Sequence, residues 1–534
     1  MKTALDTKWY IRAQDSIAQG ALTNSKRAEC FVKTIYPVHL TKGRGCYVWD
    51  TQGNRYIDFI CGLGSNLLGY GNSLIAESMY RQALEGCTLS LSTTLEVVVA
   101  EKIKEVVPFV EKMKFLKTGT EACMAAIRIA RAYHGVSREN QEMYEMFGNP
   151  SYRGLPQEWS EKEKSLQVLY NGLSTETRNQ RNQKSGPAEI RTFSEGQTNR
   201  EKALAEAMGA GQSSWEGQNL LFMQEKIAEA ALRDMPESEI ASASSRLYKT
   251  SGSDLALPNP SLPRSPRTLI LTEGYHGHID SMIGLTPPHN GVISDPYMLL
   301  LKGNEHLIPM AAAVMIEPVL CELTDERLEW LRKLREETKK HGALLIFDEV
   351  ITGFRFPKFS FSSHSNIVPD LIVMGKAMAN GMPIGLVGGP TNIMNCGEYF
   401  VSSTFAGETL SLTACLKTIE HLQAPKFSLN TLWDRGGEFK DKFNQIWPQG
   451  LRIQGYNTRG AFEGDQLTKA LFWQESVRAG LLFGASWFIN FSHIPLIDEV
   501  LSNCRDILVR IKNNQVQLEG EMPRSPFAAQ VRKQ

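Results

Sequence analysis

Short, unbroken apolar runs recur in the second half of the chain and predict strands that are buried on both faces. The runs at 269–271, 343–347 and 371–374 are the clearest of them, and each is followed directly by polar residues. Such runs are typical of parallel strands covered by helices on both sides of a sheet. The pattern therefore predicts an α/β fold with a mainly parallel sheet.

Between two of these strands, the segment 323–341 has helical periodicity. Leu328, Leu331 and Leu334 fall on one stripe, with charged residues opposite, and Gly342 follows as a stop signal. The segment starts shortly after Glu317, where an earlier apolar run ends, and it leads into the run 343–347. It is predicted to be the crossover helix of a parallel unit.

The polar residues that end two predicted strands carry the first candidate chemistry. Asp348 ends the run 343–347, and Lys376 follows the run 371–374. Open α/β sheets bind ligands in the crevice at the carboxyl ends of their strands. A lysine placed there, behind a buried strand, is suited to Schiff-base chemistry as a desolvated amine.

A second candidate is the turn Thr118-Gly119-Thr120 at the start of a predicted helix. The free backbone N–H groups and the positive dipole end of a helix bind anions, and glycine permits a close approach. A plain helix cap is the alternative, because threonine followed by an acid is common at helix starts.

Three segments, IEPV, DEVITGFR and PDLIVMGKAMANGMPIG, occur in this order from residue 316 to residue 385. Together they resemble the class III pyridoxal-phosphate-dependent aminotransferases, in the branch that contains glutamate-1-semialdehyde aminomutase. The resemblance implies a fold-type-I, doubly wound α/β domain, pyridoxal 5'-phosphate as cofactor, and a smaller α/β domain built from both termini.

The resemblance assigns catalytic roles to the two strand ends. It implies that Lys376 forms the Schiff base with the cofactor and carries the proton of the reaction. Asp348 faces the pyridine nitrogen and keeps it protonated, so that the ring accepts electrons. Glu349 does not match this role, and we expect it to form a structural ion pair.

The resemblance also implies a set of residues that hold the cofactor. Gly119 and Thr120 match the phosphate loop. Val350 and the aromatic ring of Tyr275, in the tripeptide Tyr275-His276-Gly277, match the residues on the two faces of the pyridine ring. Further cofactor-binding candidates are His276, Glu317 on the side of the 3-hydroxyl group, and Thr404, which matches a residue that reaches the phosphate of the neighbouring subunit.

Substrate contacts are implied at two further positions, Arg27 and Leu63. Arg27 lies where the aminomutases carry an arginine for the substrate carboxylate, although a solvated charge is the alternative. Leu63 stands where they carry tryptophan. Glu408 departs from the family's sequence GNP, since this chain has Gly407-Glu408-Thr409 there.

The chain is predicted to contain five segments. These are an N-terminal part of the small domain at 1–60, a first part of the cofactor-binding domain at 61–135, an insertion at 136–266, a second part of the cofactor-binding domain at 267–423, and a C-terminal small domain with a tail at 424–534. The insertion is rich in Pro, Gly and Ser, and we expect it to be partly helical and partly mobile. After Asn514 we expect a frayed tail.

The amino-acid composition indicates which kinds of binding partner and which cellular compartment to expect. Of the 534 residues, 42% are hydrophobic and 22% charged, and the formal net charge is +0, which favours neither a nucleic-acid-binding nor a membrane-surface protein. Nine cysteines without a paired motif indicate reduced thiols and a cytoplasmic location, and the ten histidines show no metal-ligand spacing. The N-terminus lacks the apolar core of a signal peptide.

The leading function is therefore an aminotransferase that moves an amino group between an amine or amino acid donor and a carbonyl acceptor. An intramolecular aminomutase of the glutamate-1-semialdehyde type is the alternative, and a catalytically retired scaffold or binding protein is a remote one. The predicted partners are these small molecules and a second copy of the chain, in a homodimer with shared active sites.

Overall fold

A computed structural model describes residues 7–135, 267–274, 276–285, 295, 297–320, 322–397 and 399–525. The chain divides into one unit of Met1–Gly135 with Arg267–Gln534 and a second unit of Val136–Pro266. The predictions for the insertion and for Tyr275 concern residues outside the described ranges.

The strands of the described residues are numbered in chain order. They are β1 Leu40–Arg44, β2 Tyr47–Asp50, β3 Arg55–Asp58, β4 Lys112–Leu116, β5 Leu269–Thr272, β6 Met298–Leu300, β7 Ala311–Ile316, β8 Leu344–Glu349, β9 Leu371–Gly375, β10 Gly385–Gly389, β11 Arg452–Tyr456, β12 Arg459–Glu463, β13 Leu481–Leu482 and β14 Ser486–Phe488. The helices of ten or more residues are α1 Thr7–Ser16, α2 Ser73–Glu85, α3 Thr94–Val106, α4 Gly119–Gly135, α5 Asp325–His341, α6 Thr409–Gln423, α7 Leu429–Ile446, α8 Gln466–Arg478 and α9 Ile497–Lys512.

Seven strands form the central sheet in the order β4-β10-β9-β8-β7-β5-β6. Its neighbouring strands pair in parallel, except that β10 runs antiparallel to both β4 and β9. All residues of β7, β8 and β9 are buried, as expected for strands covered on both faces. The predicted α/β class with a mainly parallel sheet is confirmed.

The register of β8 against β9 sets the position of the candidate site. Asp348 pairs with Val373, and Glu349 pairs with Met374, so the two strands end side by side. Lys376 follows β9 directly. The sheet therefore brings the acid and the lysine to the same edge.

Helix α5 is the predicted crossover between β7 and β8. It begins after Thr324, whose hydroxyl accepts a hydrogen bond from the N–H of Arg327. It ends at Gly342, which has the left-handed φ of 68° that a helix stop favours. Leu331 and Leu334 of the predicted stripe are buried, whereas Leu328 is partly exposed.

Two smaller sheets accompany the central one, and the first of them combines segments from the two ends of the chain. One has the order β1-β2-β3-β13, in which Leu481 of β13 pairs in parallel with Ile57 of β3. The other contains β11, β12 and β14. The N-terminal and C-terminal parts therefore share a sheet, as the family resemblance implied.

The C-terminal tail is ordered further than the sequence suggested. The N–H of Arg524 donates to the carbonyl of Glu29 at 2.7 Å, and Glu521 forms a bridge with Lys33. The expectation of a frayed tail directly after Asn514 is therefore wrong at Glu521 and Arg524, because their backbone N–H groups pair with the N-terminal segment.

Within these ranges, no helix combines the length and the apolar character needed to cross a membrane. The described part of the chain likewise holds no group of three or more His, Cys, Asp or Glu side chains that could bind a metal ion. Its eight cysteines are free.

Candidate active site

Lys376 directly follows β9 and is the first residue of a short 3₁₀ turn. Its backbone has a left-handed φ of 43°. The chain must approach closely there, because a Cβ atom on Gly375 would lie 3.0 Å from the carbonyl oxygen of Ile384. Burial lowers the pKa of the Lys376 amine, although the charges of Asp348 and Glu317 oppose that shift. The amine is thereby more readily neutral than an exposed lysine.

The carboxylate of Asp348 is held at both oxygens. Oδ1 accepts a hydrogen bond from the N–H of Val350 at 3.0 Å, and Oδ2 lies 2.9 Å from Nδ1 of His276. Burial by itself would raise the pKa of Asp348, but the hydrogen bond and charge of His276, with the Val350 N–H, bring it below the ordinary value. The site therefore stabilises an ionised acid in a dry environment.

His276 lies in the loop after β5, with 4% of its surface exposed. Its Nδ1 contacts Asp348, whereas its Nε2 is buried and has no hydrogen-bond partner among the described residues. The sequence predicted that His276 contacts the cofactor. The structure shows that it contacts Asp348, at the end of β8.

The turn at the start of α4 forms the helix cap that was one of the two alternatives, and anion binding there stays a prediction. The hydroxyl of Thr118 accepts the N–H of Glu121 at 3.1 Å, which is a helix cap. The same turn is also tightly packed: a Cβ atom on Gly119 would lie 2.8 Å from a Val350 methyl group, and one on Gly277 would lie 2.8 Å from the Thr120 hydroxyl. The glycines are needed for this approach of the helix start to the strand ends.

Glu317 follows β7 and forms an ion pair that sequence reasoning missed. Its Oε1 lies 3.0 Å from Nη1 of Arg459, at the start of β12, and both side chains are largely buried. Burial raises the pKa of Glu317, and Arg459 acts against that rise. No sequence signal links residues so far apart in the chain, so only the fold could reveal this pair.

Cys123 is a second residue that the sequence did not single out. Its thiol is buried, and burial, together with the charge of the nearby Asp348, raises the pKa of that thiol. Cys123 lies four residues after Gly119 on α4, which is one helical turn, so helical periodicity could have indicated that both face the same region.

Arg355 is a third such residue and is 1% exposed. Its guanidinium donates to the backbone carbonyls of Gly64 at 2.6 Å, Ile489 at 3.0 Å and Thr458 at 3.4 Å. It therefore joins the N-terminal segment and the C-terminal strands to the central sheet. Its position in the DEVITGFR segment is the sequence feature that could have identified Arg355 as a candidate.

Among the remaining candidates, Leu63 lies in a turn of unusual backbone. Cys61, Gly62, Leu63 and Gly64 all have positive φ, from 51° to 86°. Such a conformation is strained for leucine. Leu63 is partly exposed, and the next residue is held by Arg355.

Two candidates are not joined to Lys376 or Asp348 by any contact in the described ranges. Nη2 of Arg27 donates to Oδ1 of Asn24 at 2.7 Å, within its own turn. Thr404 is exposed on the segment before α6. The roles of both remain predictions.

Glu349 was expected to form a structural ion pair, but the structure shows a different set of partners. Its carboxylate accepts hydrogen bonds from the N–H groups of Phe361 at 2.6 Å and Ser362 at 2.9 Å, from the Thr352 hydroxyl at 3.1 Å, and from the Ser362 hydroxyl. The expected ion pair is wrong, because neutral donors already satisfy this buried group within the described residues. Burial raises its pKa.

Comparison with known proteins gives consistent matches. A family model described as Aminotransferase class-III matches residues 31–484. A glutamate-1-semialdehyde 2,1-aminomutase of Aquifex aeolicus is 27% identical over 391 residues, which cover 72% of this chain and 67% of the relative.

Two solved structures show the same fold. The pyridoxal-phosphate internal aldimine form of the Sphingopyxis sp. MTA144 FumI protein has a TM-score of 0.65 and 17% identity, covering 97% of this chain and 98% of that one. A glutamate-1-semialdehyde aminomutase from Pseudomonas aeruginosa PAO1 has a TM-score of 0.60 and 14% identity, covering 94% of each chain.

Proposed function

The chain belongs to the class III aminotransferase family, and from that premise we propose that it is a pyridoxal-phosphate-dependent enzyme that transfers an amino group from an amine or amino acid to a carbonyl acceptor. The observation that carries the proposal is the placement of the Lys376 amine and the Asp348–His276 pair at the ends of adjacent strands. Transfer of this kind needs an amine and an ionised acid that are shielded from water, and both groups are buried at this edge of the sheet.

The residues present fit pyridoxal phosphate. Gly119 and Gly277 allow the helix start to pack closely against Val350 and against the loop after β5. The N–H groups at this helix start suit a phosphate. The buried, unpartnered Nε2 of His276 fits a polar group in the same site. When bound, pyridoxal phosphate supplies an electrophilic aldehyde and an electron-accepting pyridine ring.

Each residue of the site has a role that follows from its surroundings. Lys376 attaches the cofactor and, through its readily neutral Nζ, takes the proton from the α-carbon of the substrate and later returns it. The ionised Asp348 holds a proton on the pyridine nitrogen, and His276 with the Val350 N–H keeps that carboxylate oriented. From the family resemblance, we propose that Thr120 and Gly119 would bind the phosphate and that Val350 and Tyr275 would pack against the ring.

The Glu317–Arg459 pair supports a carboxylate-bearing substrate. The charges of Glu317 and Arg459 both affect the pKa of the Lys376 amine, and Glu317 directly follows β7, the strand next to β8. We propose that the pair borders the same site. A planar guanidinium is suited to binding a carboxylate at two points, and Glu317 neutralises it when no substrate is present. Leu63 and Arg27 are proposed to border the same substrate.

An aminomutase is the second candidate, because curated relatives carry that name. The two reactions differ in whether a separate carbonyl acceptor is needed. Incubating the loaded enzyme with glutamate 1-semialdehyde alone separates them. Isomerisation without an added acceptor supports the aminomutase, whereas transfer that depends on an added keto acid supports the aminotransferase.

We further propose a homodimer in which Thr404 of one chain reaches the phosphate bound by the other. Thr404 is exposed between two exposed aromatic residues, Phe400 at 79% and Phe405 at 56%. The same surface continues onto exposed apolar side chains of the α2–α3 region, namely Tyr80, Leu84, Leu89, Leu91 and Val97. Because the N–H of Thr409 donates to the carbonyl of Cys87, the two parts are contiguous. Light scattering tests the dimer, and a cofactor-loaded, active monomer would contradict it.

The unpaired state of the described cysteines supports the proposal that the enzyme is cytoplasmic.

Absorbance spectroscopy of the purified protein with added pyridoxal phosphate tests the central proposal. A band at the visible edge that shifts when an amino acid is added is the expected result. A protein that never acquires a chromophore would instead be the retired scaffold.

A further inference from the structure

An ion pair connects the Thr118-Gly119-Thr120 turn to the segment that carries Thr404. Nζ of Lys117, the residue before that turn, lies 2.6 Å from Oε1 of Glu408 and 2.9 Å from the hydroxyl of Ser411. The two charged side chains are only 15% and 12% exposed. Water therefore screens this pair less than it screens a surface pair.

Both ends of the pair are fixed to the backbone of a functional segment. The carboxylate of Glu408 caps α6 by accepting the N–H groups of Leu410 at 2.8 Å and Ser411 at 3.0 Å. The N–H of Lys117 donates to Oε2 of Glu121 at 2.8 Å, within the first turn of α4. Because these hydrogen bonds restrict both Lys117 and Glu408, we infer that a shift of either segment moves the other.

Glu408 is charged in this arrangement. Burial would raise its pKa, but the hydrogen bond from Lys117 and those from Ser411 and Leu410 bring that pKa below its ordinary value. This explains the departure from the family's GNP sequence: Glu408 provides both the cap of α6 and the partner of Lys117.

The two segments that this ion pair connects are proposed to serve different cofactor sites. The turn 118–120 packs against Val350 and Gly277 at its own chain's site. Thr404, in contrast, is exposed. In the proposed dimer, one segment binds the chain's own cofactor and the other completes the partner's site.

We propose that the Lys117–Glu408 ion pair couples phosphate binding in one subunit to completion of the phosphate site in the other, so that the dimer loads its cofactor cooperatively. The inference rests on the proposed function and its dimer. A phosphate that orders the turn 118–120 also fixes Lys117, Glu408 and the segment 402–407. The partner site then loses less conformational freedom when it binds its own phosphate.

The test is a titration of cofactor-free dimer with pyridoxal phosphate, followed by absorbance. Wild type should give a sigmoidal curve with a Hill coefficient above unity. Glu408→Gln keeps an oxygen for the α6 cap but removes the charge, so its curve should become hyperbolic and its affinity should fall about fivefold to tenfold. Lys117→Met should behave in the same way. Lys112→Met, which changes an exposed lysine of β4, the strand that ends just before Lys117, is the matched control and should resemble wild type.

Pyridoxal without its phosphate distinguishes this coupling from a general loss of stability. It should bind all four proteins hyperbolically and with equal affinity. If Glu408→Gln weakens pyridoxal as much as pyridoxal phosphate, the pair is only structural and the inference fails. A dimer whose wild-type curve is hyperbolic, or is unchanged by Glu408→Gln, overturns this inference alone. A monomer overturns the proposed dimer as well.

Discussion

Nδ1 of His276 lies 2.9 Å from Oδ2 of Asp348, which connects the loop after β5 to the end of β8. Both side chains are buried, so their interaction is only weakly screened. The remaining Asp348 oxygen accepts a backbone N–H. The carboxylate that is proposed to face the cofactor is thus both oriented and kept ionised by its own chain.

Asp348→Asn is expected to leave the fold intact and to remove most of the activity. A neutral amide cannot hold a proton on the pyridine nitrogen, and a loss of about 3–4 kcal/mol, or a hundredfold or more in rate, is the scale for such electrostatic stabilisation. Single-turnover kinetics of the loaded variant measure it. Normal single-turnover rates would assign Asp348 a purely structural role.

His276→Ala is expected to shift the pH dependence of activity. The hydrogen bond from His276 contributes to the lowered pKa of Asp348, so its removal raises that pKa. Because the ionised form is needed, the acidic limb of the kcat/KM profile should move to higher pH, with about a tenfold loss in rate near neutral pH. His276→Gln, whose amide can still donate, should recover part of both effects. A uniform loss at every pH would contradict the positioning role.

Arg459→Lys tests the carboxylate site. The variant keeps a positive charge but loses the fork geometry of the guanidinium. We expect KM for an amino acid substrate to rise about tenfold, while KM for the matching amine without a carboxylate stays unchanged. The comparison of the two substrates is its own control, and equal effects on both would place Arg459 outside the substrate site.

Removal of the proposed insertion is expected to leave the site intact. Nε of Arg131 donates to the carbonyl of Thr268 at 2.8 Å, so the chain segments on either side of residues 136–266 already lie close together. Joining Gly135 to Arg267 through a few residues should therefore preserve folding and cofactor binding, since loop closure depends only weakly on length. Cofactor titration and light scattering measure this. An insoluble or cofactor-free product, beside a normal full-length chain, would show that the segment belongs to the core.

The sequence predicted the local features of the site and missed the distant ones. Apolar runs correctly placed β8 and β9 and brought Asp348 and Lys376 to one edge, because strand periodicity and chain direction are local properties. Arg459 was missed because it reaches Glu317 only through the packing of β12. The expected ion pair of Glu349 failed because its donors, such as Phe361, come from a turn that periodicity does not describe.

The central claim is that Lys376 holds the cofactor, and Lys376→Ala should accordingly abolish turnover. The most direct measurement is borohydride reduction of the protein loaded with pyridoxal phosphate, followed by proteolysis and mass spectrometry of the peptides. A phosphopyridoxyl group on Lys376, absent from the Lys376→Ala variant, is the predicted result. The same group on another lysine, or a loaded protein in which no lysine is modified, would contradict it.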